Sequence, residues 1–276
     1  MNSSRVIIVA AGRGRRLGTE TEDIPKCMVR VAGQPILHWQ LRAFALAGLS
    51  DIVVVRGYLG DRIQGGGAAL GYVDNPDWPH NNILASLLCA ADRLLGGFFF
   101  SYCDIVYTPD VVARLAACAR AADPAPVSLV IDRRWADAYQ GRTLHPVSEA
   151  ELTLVDGQGR RVVRVGKGAV AREKAVGEFI GLAHFSAAGA AALRAVWDGA
   201  LAAGGLQAPF GLAPTLRQAY LTDALNALAD QGVRLSPVFI DGHWREIDTP
   251  QDLAAAERTV ADWDPEFQVG GPEQGR

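Results

Sequence analysis

Apolar residues along the chain gather into short unbroken runs separated by stretches with helical periodicity. Runs at residues 5–10, 51–55, 97–102, 127–131, 178–185 and 235–240 read as strands. In "RVIIVA" and "GFFFSY" the apolarity is continuous rather than alternating, which indicates burial on both faces. Helices are predicted at 35–47, 82–95, 109–122, 187–203, 223–231 and 250–261. Two of them share a start signal, Thr108-Pro109 and Thr249-Pro250, with Thr at the N-cap and Pro at the first helical position. Asp252, three residues after Thr249, adds the acid of a capping box.

Alternation of strand and helix predicts an α/β fold: a doubly wound, mostly parallel but mixed Rossmann-like sheet with helices on both faces. Two short strand-like runs around "DGQG" read as a β-hairpin, at 148–168, inserted on the main sheet as a flap. Residues 1–263 are expected to form one domain, with 64–71 a flexible connection and 264–276 a disordered tail.

The totals narrow the class without fixing it. The 276 residues are 49% hydrophobic and 21% charged, ordinary for a globular chain with a sizeable core. A net charge of −3 speaks against a nucleic-acid-coating surface. Four cysteines with no CxxC pair read as reduced thiols rather than zinc ligands or disulfides. The N-terminal apolar run is too short for a signal peptide, and no stretch approaches the roughly 20 residues of a membrane span. The expectation is a cytoplasmic protein without a membrane or nucleic-acid partner.

The chemistry starts where the first strand ends, in "VIIVAAGRGRRLG". Gly12 and Gly14 let main-chain N–H groups approach a ligand closely, and Arg13, Arg15 and Arg16 suit phosphate oxygens. The spacing matches neither the G-x-G-x-x-G dinucleotide fingerprint nor a P-loop. Alone, the stretch also fits a strand-end turn with solvated arginines. Lys26, in "IPKCMVRV", fits a surface lysine in a loop when taken alone, but stands where it could neutralise charge on a transferring phosphoryl group. Asp104 ends a strand and Asp248 precedes the Thr249 cap, so both belong to the carboxyl rim where doubly wound sheets bind ligands. Two aspartates at a rim that also holds a basic loop suit Mg²⁺, although each also fits a helix-start acid.

Together "VAAGRGRRLG…IPKCMVRVAGQPIL", "NNILASL", "SYCDIVY", "GEFIGL" and "WREIDTPQDL" resemble the nucleotidyltransferase superfamily, of the MobA-like, GT-A-like kind. Within it they look like the branch of phosphocholine and 2-aminoethylphosphonate cytidylyltransferases. This chain departs from the pattern at Arg15, usually Thr or Ser, and around Gly18–Thr19, where a proline is usual. The resemblance implies transfer of CMP from CTP to a phosphate or phosphonate, releasing pyrophosphate. It assigns Ala10, Ala11, Gly12 and Gly14 to the nucleotide, Arg16 and Lys26 to its phosphates, and Asp104 and Asp248 to Mg²⁺. Asn82 and Ser86 would lie along the nucleotide pocket, Asn82 fitting a plain helix cap equally well. A phosphate monoester with a second pKa near ~6 is already mostly dianionic at pH 7, so the nucleophile needs no general base.

For the acceptor, Glu149, Glu151, Glu178 and Glu246, with Tyr102, Trp135, Tyr139 and Trp244, suit a cationic amine. Arg133, Arg142 and His145 suit its phosphate or phosphonate. Alternatives are a hexose-1-phosphate nucleotidyltransferase and a non-catalytic nucleotide-binding protein. A homodimer through the hairpin is a further expectation.

Overall fold

A computed structural model describes residues 5–263 and Phe267. The strands are β1 (Arg5–Ala10), β2 (Arg30–Val31), β3 (Gln34–Pro35), β4 (Asp51–Arg56), β5 (Leu70–Asp74), β6 (Gly97–Tyr102), β7 (Ile105–Tyr107), β8 (Val127–Asp132), β9 (Leu152–Val155), β10 (Val162–Val165), β11 (Gly177–Ser186), β12 (Leu235–Ile240) and β13 (Trp244–Glu246). The helices are α1 (Ile36–Leu46), α2 (Ile83–Leu88), α3 (Pro109–Ala119), α4 (Trp135–Ala138), α5 (Ala187–Gly204), α6 (Leu221–Asp230) and α7 (Pro250–Ala261).

β1 lies at the centre of a nine-stranded sheet, parallel to β4 on one side and β6 on the other. β5 continues the parallel set beyond β4, while β11 runs antiparallel between β6 and β8, and β12 closes that side parallel to β8. The mixed, mostly parallel sheet expected from the apolar runs is the one that forms. Alternate residues of β1 enter opposite layers: Val6, Ile8 and Ala10 face one apolar core, Ile7 and Val9 the other. This two-sided burial is why those runs lack a polar face.

Two helix starts behave differently. At α7 the capping box forms, with Thr249 accepting from the Asp252 N–H and Asp252 accepting from the Thr249 N–H at 2.9 Å. At α3 Pro109 takes the first turn as expected, but the Thr108 hydroxyl donates to the Asp110 side chain rather than capping the helix. The helix predicted over 82–95 stops at Leu88, and the chain enters β6 through a 3₁₀ turn at Ala91–Arg93.

The predicted hairpin forms as β9 and β10, and β9 pairs with Gly177 and Glu178 at the start of β11. Because β6 pairs with β11 only from Leu182 onward, the hairpin sits beyond the carboxyl end of β6. It thus extends the sheet over the rim instead of hanging off it. β7 and β13 leave the sheet as a separate three-residue antiparallel ribbon, absent from the sequence-based expectation. Phe267 packs 5.2 Å from the ring of buried Trp39. The rest of 264–276, expected as a tail, lies outside the described residues. Among the described residues no helix is long and apolar enough to cross a membrane.

Candidate active site

A cavity of about 400 Å³ opens at the carboxyl rim, between the loop after β1, the start of α2, the loop after β6, the hairpin and the β13–α7 junction. Gly12, Gly14, Arg15 and Arg16 form one wall. Gly14 adopts φ 69°, and a Cβ there would fall 2.9 Å from Cδ of Lys26, so the glycine lets the lysine lie directly under the loop. The loop is pinned from below by buried Leu17 and by the Thr21 hydroxyl, which donates to the Gly14 carbonyl at 3.1 Å. Gly14→Ala should therefore cost about 1–2 kcal/mol of stability through its left-handed backbone. Chemical denaturation measures that loss.

Lys26 is the hub. Its ammonium donates to Asp104 at 2.6 Å and to Asp248, and Arg16 donates to the other oxygen of Asp248. The ribbon of β7 and β13 brings the two distant aspartates together: Glu246 pairs with Ile105, and the Ile247 N–H donates to the Asp104 carbonyl at 2.8 Å. Burial alone would depress the Lys26 ammonium, but the charges of Asp104 and Asp248 outweigh it and hold it above its ordinary value. Burial likewise works against the Asp248 carboxylate, yet Lys26 and Arg16 keep it well below the usual range.

The far wall is acidic. Glu149 accepts from Arg16 at 3.4 Å and from Lys167 at 3.2 Å. Glu151 accepts from the Tyr102 hydroxyl at 3.1 Å, and Glu178 from the Tyr139 hydroxyl at 2.7 Å. Burial pushes Glu151 and Glu178 up to about 7, and burial with the charges of Asp248 and Asp104 pushes Glu246 up to about 8. Gly181, at φ 82°, makes room for Tyr102, whose ring a Cβ there would meet at 2.0 Å.

The raised Glu178 carboxyl carries a stability consequence. Its folded value lies above the ordinary 4.5, so its favourable contribution is complete below 4.5 and is lost as pH rises through about 7. Glu178→Gln keeps an acceptor for Tyr139 and cannot ionise. It should raise unfolding stability at pH 8 on the order of 1–3 kcal/mol and change little at pH 4, measured by chemical denaturation.

Not every expected residue reaches the cavity. Ala10 points into the opposite core, and its neighbours Val9 and Ala11 line the cavity instead, as strand alternation demands. Arg133 lies outside the cavity, its exposed guanidinium held by Asp241 at 2.9 and 2.5 Å. Arg142 is buried behind the wall, where it holds Glu246 at 3.0 Å and Asp252 at 2.6 Å, so it braces the wall rather than facing an acceptor. His145 also lies behind, its imidazole kept neutral by burial and by Arg142, with a value lowered to about 4. Trp135 and Tyr139 belong to a separate small apolar cluster, and Arg13 stacks over Tyr58 at 5.3 Å.

Asn82 faces the cavity edge, but its side chain caps α2, accepting from Ile83 N–H and donating to the Gln218 carbonyl. Ser86, Asp104, Asp248, Glu149, Glu178 and Glu246 all line the cavity. Sequence reasoning missed Trp78, Asn81, Lys167 and Tyr220, which line it too. Gly57 marks the first of these: a Cβ there would sit 2.7 Å from both the Ala11 carbonyl and Trp78.

A strand-end glycine loop, a lysine under it and two acids on one ammonium share one cavity at the rim of a mixed α/β sheet. The chain belongs to the family of the MobA-like NTP transferase domain, whose model matches residues 6–246. Among similar proteins, the CTP:phosphoglutamine cytidylyltransferase of Campylobacter jejuni is 30% identical over 263 residues, covering 90% of this chain and 96% of that one. The 2-aminoethylphosphonate cytidylyltransferase of Lancefieldella rimae is 27% identical over 188 residues, 67% of this chain and 68% of that one. The fold is also that of the CTP:phosphocholine cytidylyltransferase LicC from Streptococcus pneumoniae, with a TM-score of 0.69 at 20% identity, covering 93% and 98%.

Proposed function

We propose that this protein transfers CMP from CTP to the phosphate or phosphonate of a small acceptor bearing an amine, and releases pyrophosphate. The observation that carries the reading is one cavity with three chemically distinct parts: a glycine–arginine loop, a lysine between two aspartates, and a wall of four glutamates, of which Glu151 and Glu178 are buried. In this reading an acceptor oxygen attacks the α-phosphorus, a new P–O bond forms there, and the bond to the β-phosphate breaks. Backbone at Ala11–Gly14 and the side chain of Arg16 hold the triphosphate, while Lys26 neutralises charge as it develops on the phosphoryl oxygens. A dianionic acceptor needs no proton removed, which agrees with the buried His145 standing outside the cavity lining.

The acidic pair fits Mg²⁺. Oδ1 of Asp104 is buried with no hydrogen-bond partner among the described residues, an acceptor without a donor, and Asp248 stands across the same ammonium. Asp104 and Asp248 would hold the ion, which supplies Lewis-acid polarisation of the transferred phosphoryl group. His145, Glu246 and Asp248 also place ligand atoms within 4.8 Å of one another. Mg²⁺ prefers all-oxygen sites, however, and His145 offers it a ring nitrogen.

The glutamate wall with Trp244 supports a cationic acceptor over a hexose phosphate, whose hydroxyls call for amides. Two of the relatives support it, since phosphoglutamine and 2-aminoethylphosphonate both carry an amino group. Pyrophosphate release with CTP, Mg²⁺ and a panel of acceptors tests this. Aminoethylphosphonate-like or phosphocholine-like acceptors should give turnover, and hexose 1-phosphates little. Turnover confined to a sugar phosphate with UTP, GTP or dTTP would refute it.

A further inference from the structure

We infer that Asn75, a residue 1% exposed, selects cytosine over uracil by fixing which way the Asn81 amide and Ser86 hydroxyl present themselves to the cavity. The inference rests on the CTP reading above and says which groups make that choice.

A backbone amide has only one orientation as a donor. The Asp77 N–H donates to Oδ1 of Asn75 at 3.1 Å, so the other terminal atom of Asn75 must be its NH₂. That NH₂ uses both protons, one to Oδ1 of Asn81 and one to Oγ of Ser86, each at 2.9 Å. Nδ2 of Asn81 returns a bond to Oδ1 of Asn75 at 3.1 Å. The two side chains therefore form a reciprocal amide pair, and turning either over would set like against like at several contacts.

This leaves defined valences. Asn81 has a second Nδ2 proton with no partner among the described residues, and its side chain lines the cavity. Ser86 accepts from Asn75, and its one proton faces the Asn82 carbonyl at 2.9 Å and Oδ1 of Asn81 at 3.3 Å, so with either acceptor it keeps one lone pair. The occupant thus meets a donor beside an acceptor. Cytosine presents N3 as an acceptor beside its N4 amino donor, the complement of that pair. Uracil presents N3–H as a donor beside O4 as an acceptor, which places donor against donor and acceptor against acceptor. The Asn82 amide takes no part, being held in the α2 cap.

The test is the ratio of dissociation constants for CTP and UTP, measured by titration calorimetry without acceptor. A ratio is unaffected by the active fraction of a preparation, so loss of folded protein cannot imitate the effect. Asn75→Asp keeps the acceptor for Asp77 N–H and removes both donors; Asn81→Asp replaces the donor facing the cavity. The wild type should favour CTP by roughly 10- to 100-fold, and each variant should reduce that preference about tenfold or more. A wild-type preference left within about twofold of its starting value in both variants would overturn the inference and leave CMP transfer standing. A wild type that binds UTP as well as CTP overturns it too. Failure of the transfer reading is seen separately, as CTP bound selectively but no acceptor converted.

Discussion

Asp248→Asn should reduce transfer by at least roughly three orders of magnitude while the fold survives. This carboxylate receives Lys26 and Arg16 at once, and its side chain is only 7% exposed. Each charged contact aimed at a developing phosphoryl charge is worth about 10²–10³ in rate. Losing the Asp248 charge disturbs the lysine, the arginine and the ion together. The fold should tolerate it because the α7 cap uses the Asp248 backbone N–H, which donates to Asp252, and not its side chain. Asp104→Asn should behave alike, and both variants should need more Mg²⁺ for any residual activity. Thermal unfolding checks the fold, and pyrophosphate release against Mg²⁺ concentration checks the rest. Near-normal activity in either variant would refute the metal assignment.

Lys26→Met should lower kcat by about 10²–10³ at saturating Mg²⁺ without raising the Mg²⁺ requirement. Its stability should report on the same geometry. Removing the ammonium leaves two acids facing each other, one of them buried, and breaking a buried pair costs about 3–5 kcal/mol. A divalent cation can take the vacated place. Mg²⁺ should therefore raise the melting temperature of Lys26→Met more than that of the wild type, narrowing the gap between them. Equal Mg²⁺ shifts in both proteins would mean that the ion binds elsewhere.

Much of this architecture is legible in the chain because its signals are local. β1, β6 and β12 announce themselves as apolar runs, and α7 by Thr249-Pro250 with Asp252 three residues on. Asp104 and Asp248 could be placed at one rim by the rule that parallel sheets bind ligands beyond their carboxyl ends. What stayed hidden depends on partners far away in sequence. The ribbon joining Ile105 to Glu246 is three residues long and has no periodicity to detect. Whether Ala10 or Ala11 faces the ligand turns on a single step of strand parity. Arg133, Arg142 and Arg16 look alike as letters; only folding shows that Asp241 holds the first, that Asp252 and Glu246 hold the second, and that the third reaches the cavity. Nothing in the local sequence marks Asn75; its role depends on the Asp77 amide that fixes its orientation.

The position of the metal tests the account most directly. Crystals grown with CTP and Mn²⁺ in place of Mg²⁺ should show one anomalous peak bonded, at about 2.1 Å, to one oxygen each of Asp104 and Asp248. The Lys26 ammonium should have moved from between them onto the triphosphate. A peak seated on His145 and Glu246 away from Asp104, or Lys26 still lying between the aspartates with nucleotide bound, would contradict it.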